Sequence, residues 1–352
     1  QDAAKEVLTD REAPPLLEVK GLRRFYGQWR RKYLFFGPRV DPPVRAVVDV
    51  DFDVKKGHTL GIVGESGSGK STVARTIVGL NAPTRGVLEL AEEALAGEVA
   101  DRTHEQQGSI RMVFQNPTGS LNPKLPASHA IFRSLRKYAG LKGEEVRNKA
   151  VELFDAVGLD EDYLNRKPGQ LSGGQLQRVA LATSFAGDPD LIVADEAVSA
   201  LDVSVQAQVL NLLEAHQKDE NTSYVFISHD LGVTRYVSDQ IMVLYAGHVA
   251  EFGETEQVLH APSHPYTEAL LSSVPTPNPD AEPTRIRLSG SVPTLRSRFR
   301  GCFFAGRCPR KIDNICDESP PPSQEVPGSG GHIINCHIPI EELAKLQSES
   351  GK

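Results

Sequence analysis

Two short stretches of the sequence have the residue types and spacing to handle phosphate. "GESGSGKS" (64–71) fits the pattern G-x-x-x-x-G-K-[ST] and directly follows the apolar run "TLGIV", the context a phosphate-binding loop between strand and helix requires. Gly64, Gly67 and Gly69 let the backbone come close, so its N–H groups can surround a β-phosphate at a helix N-terminus. Ser66 and Thr72 are counted among the same contacts. Lys70 is expected to reach the β- and γ-phosphates, and the Ser71 hydroxyl to ligate Mg²⁺. "DLIVADEA" (190–197) is an apolar strand ending in two carboxylates. Asp195 would help hold Mg²⁺ through water, and Glu196 could polarise an attacking water. An acidic pair after a strand can equally serve as a helix N-cap; downstream of a phosphate loop it reads as catalytic. A third set is the four cysteines, Cys302, Cys308, Cys316 and Cys336, spaced C-x5-C-x7-C-x19-C in a chain whose first 301 residues contain none.

These residues need elements to carry them. Residues 1–15 read as a polar leader or linker closed by Pro14-Pro15. From 16 to 261 short β-branched runs alternate with helical patterns: "TLGIVG" (59–64), "IRMVF" (110–114), "DLIVAD" (190–195), "SYVFIS" (223–228) and "QIMVLYAG" (240–247). Such alternation predicts an α/β domain with a mostly parallel central sheet. Residues 125–175 are helical in pattern and predict a lobe inserted into that domain. From 262 onward the composition shifts, with 13 of the 24 prolines lying there, and a small Pro/Cys-rich C-terminal domain is expected over 262–352.

With 352 residues the chain is long enough for two domains. A net charge of -7 argues against a nucleic-acid partner. No apolar run reaches the length needed to span a bilayer, and the N-terminus has no secretory pattern. With Gln1 at the start and Met112 as the first methionine, the sequence is expected to be trimmed or part of a longer polypeptide.

A resemblance now becomes dense. "LSGGQ" (171–175) is similar to the signature of the ATP-binding cassette (ABC) ATPases. Around it, in family order, stand "VFQNP" with Gln115, "SALD" with Asp202 and "ISHDL" with His229. The resemblance implies two cassettes closing head to tail with ATP between the phosphate loop of one and the signature of the other. Ser172, Gly173, Gly174 and Gln175 would then face a neighbour's γ-phosphate from a helix N-terminus. Gln115 would touch Mg²⁺ and the attacking water, His229 would hold the γ-phosphate, and Asp202 would report across the dimer interface. Adenine is expected on Tyr26, with Phe25 the alternative. The basic, aromatic insertion "GQWRRKYLFFGPRVDPP" (27–43) could touch lipid headgroups or simply pack as a loop, and the acidic insert at 91–109 has no evident role.

"MVFQNPTGSLNPK" (112–124), "ADEAVSALDVSVQAQVLNLL" (194–213) and "HAPSHPYTEALLSSVP" (260–275) resemble oligopeptide and dipeptide importer ATPases. That branch implies an ATPase at the cytoplasmic face of the inner membrane. Its partners would be two permeases, a second ATPase (identical, different or fused) and an extracytoplasmic solute-binding protein. Related importers of nickel complexes, glutathione or sugar-phosphate conjugates are alternatives, as is an exporter. The cysteine spacing lacks the close pairs usual for structural zinc, while iron–sulfur clusters accept varied spacing. "GCFFAGRCP" resembles the cysteine segment of the same branch, which implies a [4Fe–4S] cluster on the four cysteines, with zinc and unliganded thiols as alternatives. His332 and His337 flank Cys336 as substitute ligands or plain surface histidines.

Overall fold

The computed structural model describes residues 14–27, 30–31, 39–40, 43–119, 121–199, 201–274, 286–296 and 299–350. The leader over 1–13 and most of the 27–43 insertion lie outside these residues. The strands up to the helical lobe are β1 (Leu17–Tyr26), β2 (Arg30–Arg31), β3 (Arg39–Val40), β4 (Val44–Val54), β5 (Thr59–Val63), β6 (Arg85–Leu90), β7 (Glu93–Ala94) and β8 (Ile110–Val113). After it come β9 (Leu191–Asp195), β10 (Ser223–Ile227), β11 (Gln240–Tyr245), β12 (His248–Glu254), β13 (Ser323–Glu325) and β14 (Ile333–Asn335).

The five apolar runs expected as strands form one parallel block. β8, β9, β10, β5 and β11 lie side by side, all parallel. β5, β9 and β10 are buried at every position, as strands covered on both faces must be. On one face, Leu60, Ile62 and Val193 pack with Val73 and Ile77 of the helix Lys70–Ile77 and with Leu17, Val19 and Val50 of a second, antiparallel sheet, β4-β1-β6-β7. On the other, Ile192 and Phe226 pack against the helix Gly173–Phe185 and the helical lobe. The lobe holds the helices Ser128–Tyr138 and Glu144–Ala156. Val146, Ala150, Leu153, Phe154 and Val157 recur at helical spacing and are buried against it, an inward stripe on an otherwise polar helix. The 91–109 insert bridges sheet and lobe: Val99 N–H donates to Gly79 O (2.9 Å) and Lys137 Nζ donates to Gln107 Oε1 (2.9 Å).

The residues after 262 are joined to this body rather than set apart from it. β12 runs antiparallel to β11, and β14 and β13 extend the same sheet beyond it, giving the order β13-β14-β12-β11-β5-β10-β9-β8. Phe303 and Phe304 share a core with Tyr245 and Tyr266, while a smaller cluster gathers Ile334, Cys336, Ile338 and Leu343. A wholly buried carboxylate ties the segments together. Glu251 on β12 lies 2.7 Å from His332 Nε2 and accepts the His264 N–H at 2.8 Å. His332 is therefore neither a surface histidine nor a ligand candidate. It is 2% exposed and committed to Glu251, because a buried carboxylate needs a compensating partner. His337 instead meets Ser319 O at 2.9 Å.

Three other histidines are held uncharged by burial. His216 stacks on Phe185 with ring centroids 3.8 Å apart, His248 on Phe303 at 4.9 Å, and His264 accepts the Tyr266 N–H on Nδ1 at 3.0 Å. Burial lowers them to about 4, about 4 and about 3 respectively. These values lie below the unfolded value near 6.5, so the unfolded chain takes up protons first as pH falls. Their stabilising effect is complete above that value and is lost as pH drops from about 6.5, at up to about 1.4 kcal/mol per pH unit for each histidine. The melting temperature should fall between pH 7 and pH 5. His264→Asn keeps a helix-capping acceptor and should flatten that slope while lowering the melting temperature at pH 7. An unchanged slope in calorimetry would rule His264 out as a contributor.

Candidate active site

In an open parallel sheet the loops at the carboxyl ends of the strands gather the binding groups. Here four neighbouring strands deliver them. β5 runs into the loop 64–69 and the helix Lys70–Ile77. β9 ends on Asp195 with Glu196 next, β10 ends two residues before His229, and β8 two residues before Gln115. The Glu196 N–H donates to Ile227 O (3.0 Å), which locks the ends of β9 and β10 together.

The loop has room only for backbone at two of its glycines. A Cβ on Gly69 (φ 109°) would lie 2.3 Å from Ala46 O, and one on Gly64 would lie 2.1 Å from Leu244 O. Only glycine fits such contacts. Lys70 is buried and folds over the loop, donating to Gly64 O (2.7 Å) and Glu65 O (3.0 Å). Burial lowers its pKa, and the charges of Glu196, Asp195 and Glu65 oppose that shift. Ser71 Oγ donates to Asp195 Oδ1 at 2.9 Å. Burial raises the Asp195 pKa, and the Ser71 hydrogen bond counters it.

Glu196 is held from several sides. Gln115 Nε2 donates to its Oε2 at 2.7 Å, and His229 Nδ1 lies 3.8 Å from Oε1. Its backbone sits at φ 49°, a left-handed conformation that costs a non-glycine residue roughly 1–3 kcal/mol. The Ser199 N–H and Oγ both donate to Glu196 O, at 3.2 and 3.0 Å, and brace this turn. Ser66, Gly67, Gly69, Lys70, Ser71 and Thr72 enclose, with Gln115 and Glu196, one cavity of about 270 Å³. Leu295, from the C-terminal region, lines it as well. The apposed Ser71 hydroxyl and Asp195 carboxylate fit a Mg²⁺ ion, which prefers oxygen ligands and keeps several waters beside a nucleotide.

Other expected site residues lie apart from this cavity. Ser172 caps the helix Gly173–Phe185, with its Oγ accepting the Gln175 N–H (3.2 Å) and Gln175 Oε1 accepting the Ser172 N–H (2.9 Å). Ser172 and Gly173 are exposed, and Gly174 is half-buried. Asp202 caps the helix Val203–Glu220 through the Val205 N–H (3.0 Å). Tyr26, at the end of β1, accepts a hydrogen bond from Asn81 Nδ2 (3.0 Å) and carries the Arg24 guanidinium 4.7 Å from its ring centre. The Phe25 ring is faced by Arg45 at 5.4 Å.

The cysteines form a second locus. Cys302 and Cys308 are half-buried, Cys316 and Cys336 buried, and all four are free thiols. Burial pushes Cys302 up to about 11 and Cys308 up to about 12, and the other cysteines reinforce both shifts. The Cys302 N–H donates to Cys316 O (2.7 Å), and the Phe304 N–H reaches Cys302 Sγ at 3.4 Å. Among the described residues no three His, Cys, Asp or Glu side chains converge tightly enough to hold one metal ion. Neither expected centre, cluster or zinc, therefore finds a finished set of ligands. The structure supplies four neighbouring thiols, and burial favours the protonated form of Cys302, Cys308 and Cys336 unless a cation replaces the proton.

Glu65, Tyr266 and Arg307 were not among the expected site residues, yet all three contact the phosphate loop. The Glu65 N–H donates to Tyr266 Oη (2.8 Å), and Arg307 pairs with the Glu65 carboxylate. Glu65 occupies a variable position of the loop pattern, and Arg307 sits between two cysteines that draw the attention. No local spacing links them.

The ABC transporter family matches residues 47–199, and the family described as the C-terminal region of oligopeptide/dipeptide transporters matches 250–316. The chain is 40% identical over 322 residues to the dipeptide transport ATP-binding protein DppF of Escherichia coli, covering 92% of this chain and 94% of that one. It is also 40% identical over 324 residues to the oligopeptide transport ATP-binding protein OppF of Salmonella typhimurium, covering 91% and 95%. Among solved structures it resembles the dimeric ATP-binding cassette MJ0796 in a post-hydrolysis state bound to ADP and Pi, with a TM-score of 0.59 and 30% identity. That match covers 68% of this chain and 98% of the other. Both the cassette motifs and the C-terminal extension thus find their counterparts, and the chain belongs to the ATP-binding subunits of ABC transporters, in the branch that carries the oligopeptide/dipeptide C-terminal region.

Proposed function

We propose that this ATPase powers import of peptides, and that its catalytic unit is a pair of cassettes. One observation carries the reading. Phosphate loop, Gln115 and Glu196 share one cavity, whereas the capped N-terminus at Ser172–Gly173 stands exposed outside it. Helix N–H groups left facing solvent suit the γ-phosphate of a nucleotide held by another cassette. The dimeric structure of MJ0796 supports this arrangement, and the printed functions of the DppF and OppF relatives support peptides as cargo.

Within the cavity, the loop N–H groups and Lys70 bind the β- and γ-phosphates. Lys70 exchanges its two loop carbonyls for phosphate oxygens. Ser71, Asp195 and Gln115 would hold Mg²⁺, which neutralises developing charge on the phosphates. Glu196, oriented by Gln115, accepts the proton of the attacking water. His229 completes the γ-phosphate side, Asp202 signals to the opposite cassette, and adenine stacks on Tyr26. No helix among the described residues is long and apolar enough to cross a membrane. Membrane attachment is therefore assigned to permease partners at the cytoplasmic face, with a solute-binding protein outside and a second ATPase completing the pair. For the cysteines we propose a [4Fe–4S] cluster. What supports it is four mutually close thiols with a spacing that lacks the close pairs usual for structural zinc.

Glu196→Gln should retain ATP binding and slow hydrolysis by about a hundredfold or more, the effect of removing a positioned base. Near-normal turnover in the reconstituted transporter would remove Glu196 from that role. The isolated subunit should hydrolyse ATP at a rate per molecule that rises steeply with concentration. A dilute monomer, verified by light scattering, working at the full rate of the complex would exclude the paired site. Anaerobically purified protein should absorb broadly near 400 nm with about four irons per chain, and Cys308→Ser should bleach it. Colourless protein with stoichiometric zinc would overturn the cluster assignment.

A further inference from the structure

The C-terminal region grips the phosphate loop at Glu65. Arg307, only 10% exposed at its side chain, grips the Glu65 carboxylate with both ends of its guanidinium: Nη1 to Oε2 at 2.7 Å and Nη2 to Oε1 at 3.1 Å. Nη1 also reaches Tyr245 Oη at 3.3 Å, which fixes the fork from its other side. Tyr266, wholly buried, accepts the Glu65 N–H at 2.8 Å. The remaining polar group of Glu65, its carbonyl, accepts from Lys70 Nζ at 3.0 Å. Every polar group of this residue is therefore engaged, two of them by the segment after 262 and the third by the Ser68 N–H (3.1 Å) together with the lysine that must turn to the phosphates.

Glu65 also poses an electrostatic difficulty. It puts a carboxylate at the rim of a site built for a polyanion, and like charges close together in partly buried surroundings repel strongly. A bidentate arginine removes the difficulty in two ways. It neutralises the charge, and it fixes the loop in one geometry, because a planar fork holds a carboxylate in orientation as well as in distance.

We propose that Arg307 is a positioning residue for ATP binding: by pinning and neutralising Glu65, the C-terminal region sets the affinity of the phosphate loop. The proposal rests on the reading of 64–71 as the nucleotide site. It makes the tail part of the nucleotide machinery and confines its effect to binding, since Arg307 touches neither Glu196 nor Gln115.

The test uses the full chain assembled with its permeases, with ATP Kd from titration and KM and kcat from steady-state hydrolysis. Arg307→Ala should raise Kd and KM about tenfold and leave kcat within about twofold, equivalent to about 1.4 kcal/mol of binding. Glu65→Gln removes the repelling charge, so adding Arg307→Ala to that background should change Kd less than about threefold. Arg307→Lys keeps the charge without the fork and should fall between wild type and Arg307→Ala. An unchanged Kd accompanied only by a lower melting temperature would mean a structural role and overturn the proposal, as would strictly additive effects in the double variant. Should Arg307→Ala fail to fold, the Lys variant with and without Glu65→Gln decides by the same cancellation. Lys70→Ala binding ATP as tightly as wild type would instead overturn the loop assignment, and the proposal with it.

Discussion

The groups gathered at the cavity depend on four parallel strands, β5, β10, β9 and β8, having one common exit. A strand buried on both faces must be apolar throughout, and parallel neighbours must be joined by crossovers rather than tight hairpins. Both requirements push polar residues to the strand ends. Because the strands run the same way, those ends coincide in space. The loop after β5, the carboxylates after β9, His229 after β10 and Gln115 after β8 therefore meet although up to 165 residues separate them (229 - 64 = 165). The bond from the Glu196 N–H to Ile227 O fixes that meeting to hydrogen-bond precision.

The same geometry underlies the proposed pairing of cassettes. The signature segment belongs to the helix Gly173–Phe185, which packs on the lobe side of the sheet with Val179, Leu181 and Phe185 buried. Packing that side chain stripe inward leaves the helix start outside the cavity. Its capping box satisfies two backbone donors locally, so the exposed end is stable while it waits for a partner. A catalytic site divided in the proposed way would tie hydrolysis to the coming together of two bodies.

The C-terminal region is joined to the cassette by specific polar contacts set in a shared core. Glu251 on β12 clasps His332 and the His264 backbone, while Arg307 and Tyr266 hold Glu65. Between them lies the aromatic group of Tyr245, Tyr266, Phe303 and Phe304, with Tyr245 and Phe304 meeting edge to face at 5.0 Å. The cysteines lie beside this group, with Cys302 and Cys308 packed against it. A change at the thiols is therefore only a short step of packed side chains from the nucleotide loop.

The cassette half of the protein was legible because its chemistry is written in contiguous words. A phosphate loop must be local in sequence, since successive backbone N–H groups form it, and a buried parallel strand must be an unbroken apolar run. "GESGSGKS", "LIVAD" and "LSGGQ" thus announced loop, strand and helix start without any knowledge of contacts. The four cysteines drew an expectation of a shared centre by type and rarity, and the described residues bring them near one another without a finished set of metal ligands. What the sequence could not decide is which of many ordinary charged residues meet. Glu65 and Arg307 are 242 positions apart, as Glu251 and His332 are 81 apart. Each pair is defined by two strands or loops arriving at one place, and no periodicity records that. His332 looked like a surface residue or substitute ligand beside a cysteine. Only the added pairing of β14 on β12, which sets that part of the tail against the existing sheet, buried it beside Glu251.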